Sequence, residues 1–131
     1  MERVEIGDFF VIAEIHTGIA AERLARMDRV LALAQSALGA PFAGFADVEL
    51  FPSLHAKAAI YCSRIVRYHP LPDGNKRTAY DVMREFIDRN DATFTHLNGD
   101  LMDTAQAIED LAASKLEESA FIDWVGVRIS G

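Results

Sequence analysis

Pro70 and Pro72 interrupt what would otherwise be one long helical pattern. Before them, Leu54, Ala58, Tyr61, Ile65 and Tyr68 recur at steps of three and four, and Ser53 is a suitable N-cap, so a helix is expected over 53–68. After them, Ala79, Val82, Met83, Phe86 and Ile87 form the clearest helical stripe in the chain, expected to run from near Gly74 to about Arg89. Glu85 and Arg89 add an i,i+4 pair worth a few tenths of a kcal/mol. Proline lacks the N–H a helix interior needs and pushes the residue before it out of the helical region. The two stripes therefore cannot merge. The chain must make a helix, a loop and a second helix.

The rest of the sequence reads as helical as well. A first helix is expected over 8–17, with Asp8 as N-cap and Phe9, Ile12, Ala13 and Ile15 as its apolar positions. A second is expected over 20–38 on Leu24, Met27, Leu31, Ala34 and Leu38, with Gly39 as terminator. Segment 39–52, GAPFAGFADVELFP, breaks the pattern and reads as irregular or as a short hairpin whose phenylalanines tuck into the core. NDATFTH (90–96) reads as a stop and a short extended piece. Asp100 or Asp103 can open a helix to about Ala113, and Ser119 or a neighbour a last one, through Trp124, to about Ile129. The expected architecture is all-α: a compact single domain, 1–131, of about six helices with at most a small hairpin.

Composition excludes several classes. With 131 residues, half of them hydrophobic, the chain can bury a real core and is not disordered over its length. Its net charge of -7 and pI near 5.0 argue against broad electrostatic binding to nucleic acid. No apolar run approaches the roughly 18 to 20 residues of a membrane helix, and the N-terminus lacks the marks of a signal peptide. One cysteine, Cys62, allows no internal disulfide, and its helical setting suggests a buried small hydrophobe. A cytoplasmic protein is the expectation. Walker-type and dinucleotide-type glycine loops are absent, as is H-E-x-x-H. The four histidines are too scattered in sequence to suggest zinc, and His16, His55 and His96 read as structural or surface residues.

The loop itself, HPLPDGNKR (69–77), carries the chemistry. The N-terminus of the following helix offers unsatisfied N–H groups and a positive dipole end, which suits phosphate. Gly74 lets backbone approach a ligand closely. Asn75 can hold the loop's shape or bond a phosphate oxygen. Lys76 and Arg77 add charge, in a position where cations oppose the dipole, and Arg77 can grip phosphate with two donors. Asp73 could be an N-cap. Beside phosphates it also suits a magnesium ligand. His69 can take a proton from a hydroxyl near neutral pH. Base, metal ligand, anion cradle and cations are the parts of phosphoryl or nucleotidyl transfer.

HPLPDGNKR resembles the signature of the Fic/Doc family, H-x-F-x-[DE]-[AG]-N-[GK]-R, through His69, Asp73, Gly74, Asn75, Lys76 and Arg77, with Leu71 in place of the usual Phe. The likeness extends over 58–94. Lys76 where adenylyl-transferring members have Gly, and Tyr80 where they carry a second Arg, resemble the Doc (death-on-curing) subgroup. That resemblance implies a toxin of a toxin–antitoxin system, using ATP and Mg2+ to phosphorylate a hydroxyl side chain of a translation elongation factor and so arrest translation. It implies His69 as general base, Asp73 as magnesium ligand, and Gly74, Asn75 and Lys76 as anion hole, with Arg77 as phosphate clamp. It also places the family's target-docking flap at 39–52, and implies a Phd-like antitoxin acting in trans. SKLEES (114–119) departs from the family's inhibitory pattern [ST]-x-x-x-E-[GN] at its last position, so self-inhibition is not expected. Arg67 stands near the loop in sequence and is equally suited to the site or the surface. A Fic-type AMP transferase, or a catalytically silent binding module, are the alternatives.

Overall fold

The computed structural model describes residues 1–97 and 101–131. It is mostly helical, with seven α-helices and two small antiparallel strand pairs, as the all-α expectation requires. Helix α1 spans Ile6–Thr17, α2 Ala21–Ala25, α3 Asp28–Gly39, α4 Leu54–Tyr68, α5 Asn75–Arg89, α6 Leu101–Ala112 and α7 Glu118–Gly126. Strands β1 (Gly44–Phe45) and β2 (Val48–Glu49) form a hairpin, while β3 (Thr93–Phe94) pairs with β4 (Ile129–Ser130). No helix among the described residues is long and apolar enough to cross a membrane.

Helix α4 is the centre. An unbroken run from Ala56 to Ser63 is buried, followed by Ile65 and Val66, so α4 is covered on most of its circumference. Ser53 caps it as the sequence predicts, accepting from the Ala56 N–H at 3.2 Å. Helices α3, α5, α6 and α7 all pack on it. Helix α5 buries Ala79, Val82, Met83, Phe86 and Ile87, the whole predicted stripe. Tyr61 of α4 and Phe86 of α5 meet with ring centroids 4.9 Å apart, and the Tyr61 hydroxyl accepts from Val4 N–H at 3.2 Å. Cys62 is fully buried, and burial pushes its thiol up to about 12.

Four expectations need correction. Helix α1 begins at Ile6, with Glu5 as N-cap and Asp8 reaching back to it as the other half of a capping box. Its buried residues are Phe9, Phe10 and Ala13, whereas Ile15 is exposed; FFVIA is apolar almost all round, so periodicity carried little information there. The expected 20–38 helix is two. Met27 is extended, which lets α2 stay against α1 through Leu24 while α3 turns Val30, Ala34, Ala37 and Leu38 inward. Of the phenylalanines in 39–52, Phe42 joins Tyr61 and Phe86, but Phe45 is 85% exposed on the hairpin. The last helix stops at Gly126, because Arg128 is drawn in by the Trp124 carbonyl and Asp103, and Ile129 pairs with Phe94. Asp100, one of two expected helix starts, lies outside the described residues; Asp103 lies in the first turn of α6.

Glu118, at the first position of α7, ties that helix to α4. It accepts from Ser63 Oγ at 2.6 Å and from Arg64 Nε and Nη2 at 2.9 and 3.1 Å, and Arg67 Nη1 stands at 3.5 Å. Arg67 thus serves this surface network, and Glu118, the glutamate of the SKLEES stretch that falls at the Glu position of the inhibitory pattern, is engaged with α4. Burial pushes the Glu118 carboxyl up, but the Arg64 and Ser63 hydrogen bonds outweigh it and hold the group below its ordinary range. The tie is complete above the unfolded carboxyl value of about 4.3 and is lost as pH falls through the lower folded value. Melting temperatures of wild type and Glu118→Gln should differ most at neutral pH and converge in acid. A gap that stays constant with pH would mean that the carboxylate charge does not hold α7.

Candidate active site at the start of helix 5

The loop between α4 and α5 is built by side chains that cap and staple backbone. His69 ends α4 in the left-handed region, φ 51 and ψ 57, with its N–H on the Ile65 carbonyl. Histidine tolerates that region better than most residues. Pro70 and Leu71 then turn inward, and Leu71 is almost wholly buried, an apolar anchor as the sequence predicts. Asn75 closes the loop: its Oδ1 accepts from Leu71 N–H at 2.9 Å and its Nδ2 donates to the Leu71 carbonyl at 2.8 Å. Of the two roles open to Asn75 in the sequence, its side chain is engaged in the first, holding loop shape.

Gly74, not Asp73, is the N-cap of α5, and no side chain caps this end. At φ 73 Gly74 occupies the left-handed region, and a Cβ there would stand 2.9 Å from the His16 carbonyl oxygen. The first intrahelical bond of α5 runs from Thr78 N–H to the Gly74 carbonyl. The N–H groups of Asn75, Lys76 and Arg77 therefore point out of the helix end without intrahelical acceptors. No acidic residue occupies this first turn.

Two hollows flank that helix end. One, of about 490 Å³, is lined by His69, Pro72, Asp73, Gly74, Asn75, Lys76 and Arg77, together with His16. The other, of about 520 Å³, lies between α5 and α6 and is walled by Tyr80, Asp81, His96, Thr104, Ala105 and Ile108. Lys76, Arg77 and His16 line both, so the cations stand at the junction. Arg77 and Asp73 are exposed and make no side-chain hydrogen bond or ion pair among the described residues. Lys76 reaches across to Glu109 of α6 at 3.0 Å, an exposed pair of small net value that an incoming anion can displace.

The structure therefore brings all six motif residues to one helix end. It also adds residues that spacing in the sequence could not reveal. His16, at the end of α1, has its Nε2 2.5 Å from Asp81 Oδ2 and packs its backbone on Gly74. His96 has Nδ1 2.8 Å from Thr104 Oγ1 and Nε2 3.2 Å from the Tyr80 hydroxyl, to which Arg84 Nη1 donates at 2.6 Å. His16 is separated from Asp81 by 65 positions, so no local pattern links them.

The residues present fit a magnesium–phosphate group by the chemistry of the donor set. An unpaired carboxylate, Asp73, adjoins three outward N–H groups and two cations, the combination by which a hard cation and the phosphate it bridges are shared. The loop geometry depends on Asn75. Asn75→Ala would leave the buried Leu71 amide and carbonyl unpaired, at a cost of about 2 to 3 kcal/mol, read as a lowered urea midpoint. An unchanged midpoint would mean that the loop is held by other contacts.

Comparison with known proteins agrees with this geometry. A family model described as the Fic/DOC family matches residues 9–87, more than half of the chain, including α4, the loop and all but the last two residues of α5. No curated protein matches the chain. Members of the matched family are typically transferases that act on proteins. The match spans His16 as well as the loop and most of α5, and on that extent the chain belongs to the Fic/DOC family.

Proposed function

We propose that this protein is a Doc-type toxin kinase, which transfers the γ-phosphate of ATP to a hydroxyl side chain of a translation elongation factor in the cytoplasm. His69 would take the proton from the target hydroxyl as its oxygen bonds the γ-phosphorus. The bond from that phosphorus to the bridging oxygen would break, and ADP would leave. Arg77 and the outward N–H groups of Asn75, Lys76 and Arg77 would meet the charge that develops on the phosphoryl oxygens. Lys76 would exchange Glu109 for a phosphate oxygen. A magnesium ion held by Asp73 would supply further neutralisation of phosphate charge. The β1–β2 hairpin would present the target, and a Phd-like antitoxin in trans would restrain the enzyme.

The observation that carries phosphate over AMP is the pair of hollows. In γ-transfer the phosphate end lies by His69, and the nucleoside must extend past Lys76 and Arg77 into the α5–α6 hollow. That hollow offers the rings of Tyr80 and His96 and the apolar groups of Ala105 and Ile108. In an AMP transfer with the nucleotide turned round, the pyrophosphate tail would lie in the α5–α6 hollow. Lys76 and Arg77 at the mouth are its cations there, and Tyr80, His96, Ala105, Ile108 and the His16-paired Asp81 beyond them suit a nucleoside better than an anion.

The test is incubation of the purified chain with magnesium, a cell extract and ATP labelled at the α or the γ position in separate reactions. Label from the γ position alone, on a protein of elongation-factor mass, is the expected result, with a loss of about 100-fold or more in His69→Ala. Transfer of the α label would replace this proposal with AMP transfer, and no transfer of either label would make the chain a binding module.

A further inference from the structure

Lys57 is only 1% exposed, although it is a lysine in the first turn of α4. Its ammonium donates to Glu49 Oε1 at 3.0 Å and to the Phe51 carbonyl oxygen, and stands 5.2 Å from the centroid of the Phe42 ring. A buried ammonium must be paired, and all its recorded partners belong to the segment between α3 and α4. Phe42 anchors the start of that segment on Tyr61 and Phe86, but the hairpin itself has little else to hold it. Every residue from Gly44 to Leu50 is exposed, and β1 pairs only with β2. Within the hairpin, Ala46 and Asp47 turn the chain with positive φ, and Gly44 approaches β2 so closely that a Cβ would stand 2.4 Å from the Val48 carbonyl oxygen.

Strand alternation gives the ion pair a directional effect. Glu49 and its cross-strand partner Gly44 share one face of the hairpin; Phe45 and Val48 share the other. Drawing Glu49 down to Lys57 turns Phe45 and Val48 outward, where they are 85% and 66% exposed. Hydrophobic attraction alone would fold those two side chains back onto the helices.

We propose that Lys57 is a positioning residue that props the β1–β2 hairpin off α4 and so sets which face of it meets the protein substrate. The target-docking half rests on the function proposed above; the propping half does not. Lys57→Met keeps the length and apolar stem of the side chain while removing the ammonium, and Lys57→Arg restores a cation.

Amide hydrogen exchange, followed by mass spectrometry on the full chain, tests the prop without any substrate. Peptides covering 43–51 should exchange at least about fivefold faster or slower in Lys57→Met, while those of the α4 and α5 cores stay unchanged and Lys57→Arg resembles wild type. Unchanged exchange over 43–51 overturns the proposal. So does a uniform change across all helices, which would mark Lys57 as a general stabiliser. Kinetics on purified elongation factor then test docking: the KM for the protein should rise about tenfold in Lys57→Met, with kcat and the KM for ATP within about twofold of wild type. A matching rise in the KM for ATP overturns the docking role. A wild-type chain that labels no protein sinks the kinase proposal, while the exchange result still decides the prop.

Discussion

Burial of α4 is the constraint on which the rest depends. A helix covered on most sides cannot shift along or about its axis without opening the core on several faces at once. Whatever leaves its two ends is therefore placed with the precision of the core. His69 leaves the C-terminal end in a left-handed turn, and the prolines and Leu71 bring the chain straight back down onto α5. Towards the other end, Lys57 meets the hairpin. His69 and the hairpin are thus carried by one rigid element, although 39–52 and 69–77 are far apart in sequence.

The candidate site keeps its loop rigid and its charged groups open. Asn75 spends its side chain on Leu71, and Gly74 spends its conformational freedom on accommodating α1. Asp73 and Arg77 remain exposed to solvent, and Lys76 is held only by an exposed partner. Such a division makes chemical sense. A helix end binds an anion well only if its N–H groups already point the right way, since reorganising them would consume the binding energy.

Much of this was legible in the residues. The stripe of α5 and the Ser53 cap rest on local rules and appear where those rules put them. The ordered polar groups of 69–77 do come together, because they are consecutive along one loop and one helix turn. What escaped was long-range. Nothing near His16 signals that Asp81 will face it, and nothing near His96 signals Tyr80 or Thr104. The division of 20–38 into α2 and α3 has no proline or glycine to announce it; packing against two different helices decides it. Ile15 and Phe45 show the reverse error, apolar residues taken for core that stand in water. Phe45 stands on the hairpin face opposite Glu49, and the pairing of Glu49 with Lys57 sets which face turns outward.

Cys62 has a practical meaning beyond its place in the core. It is the sole thiol of the chain, wholly enclosed by α4's neighbours and with its ionisation pushed far above neutrality. Thiolate is the species of cysteine that alkylating reagents and oxidants attack, so Cys62 in the folded protein is shielded from both. A cysteine placed at an exposed position of the hairpin would then be the one reactive thiol in the molecule. The protein comes prepared for site-specific spectroscopic labels, with no native cysteine to remove first.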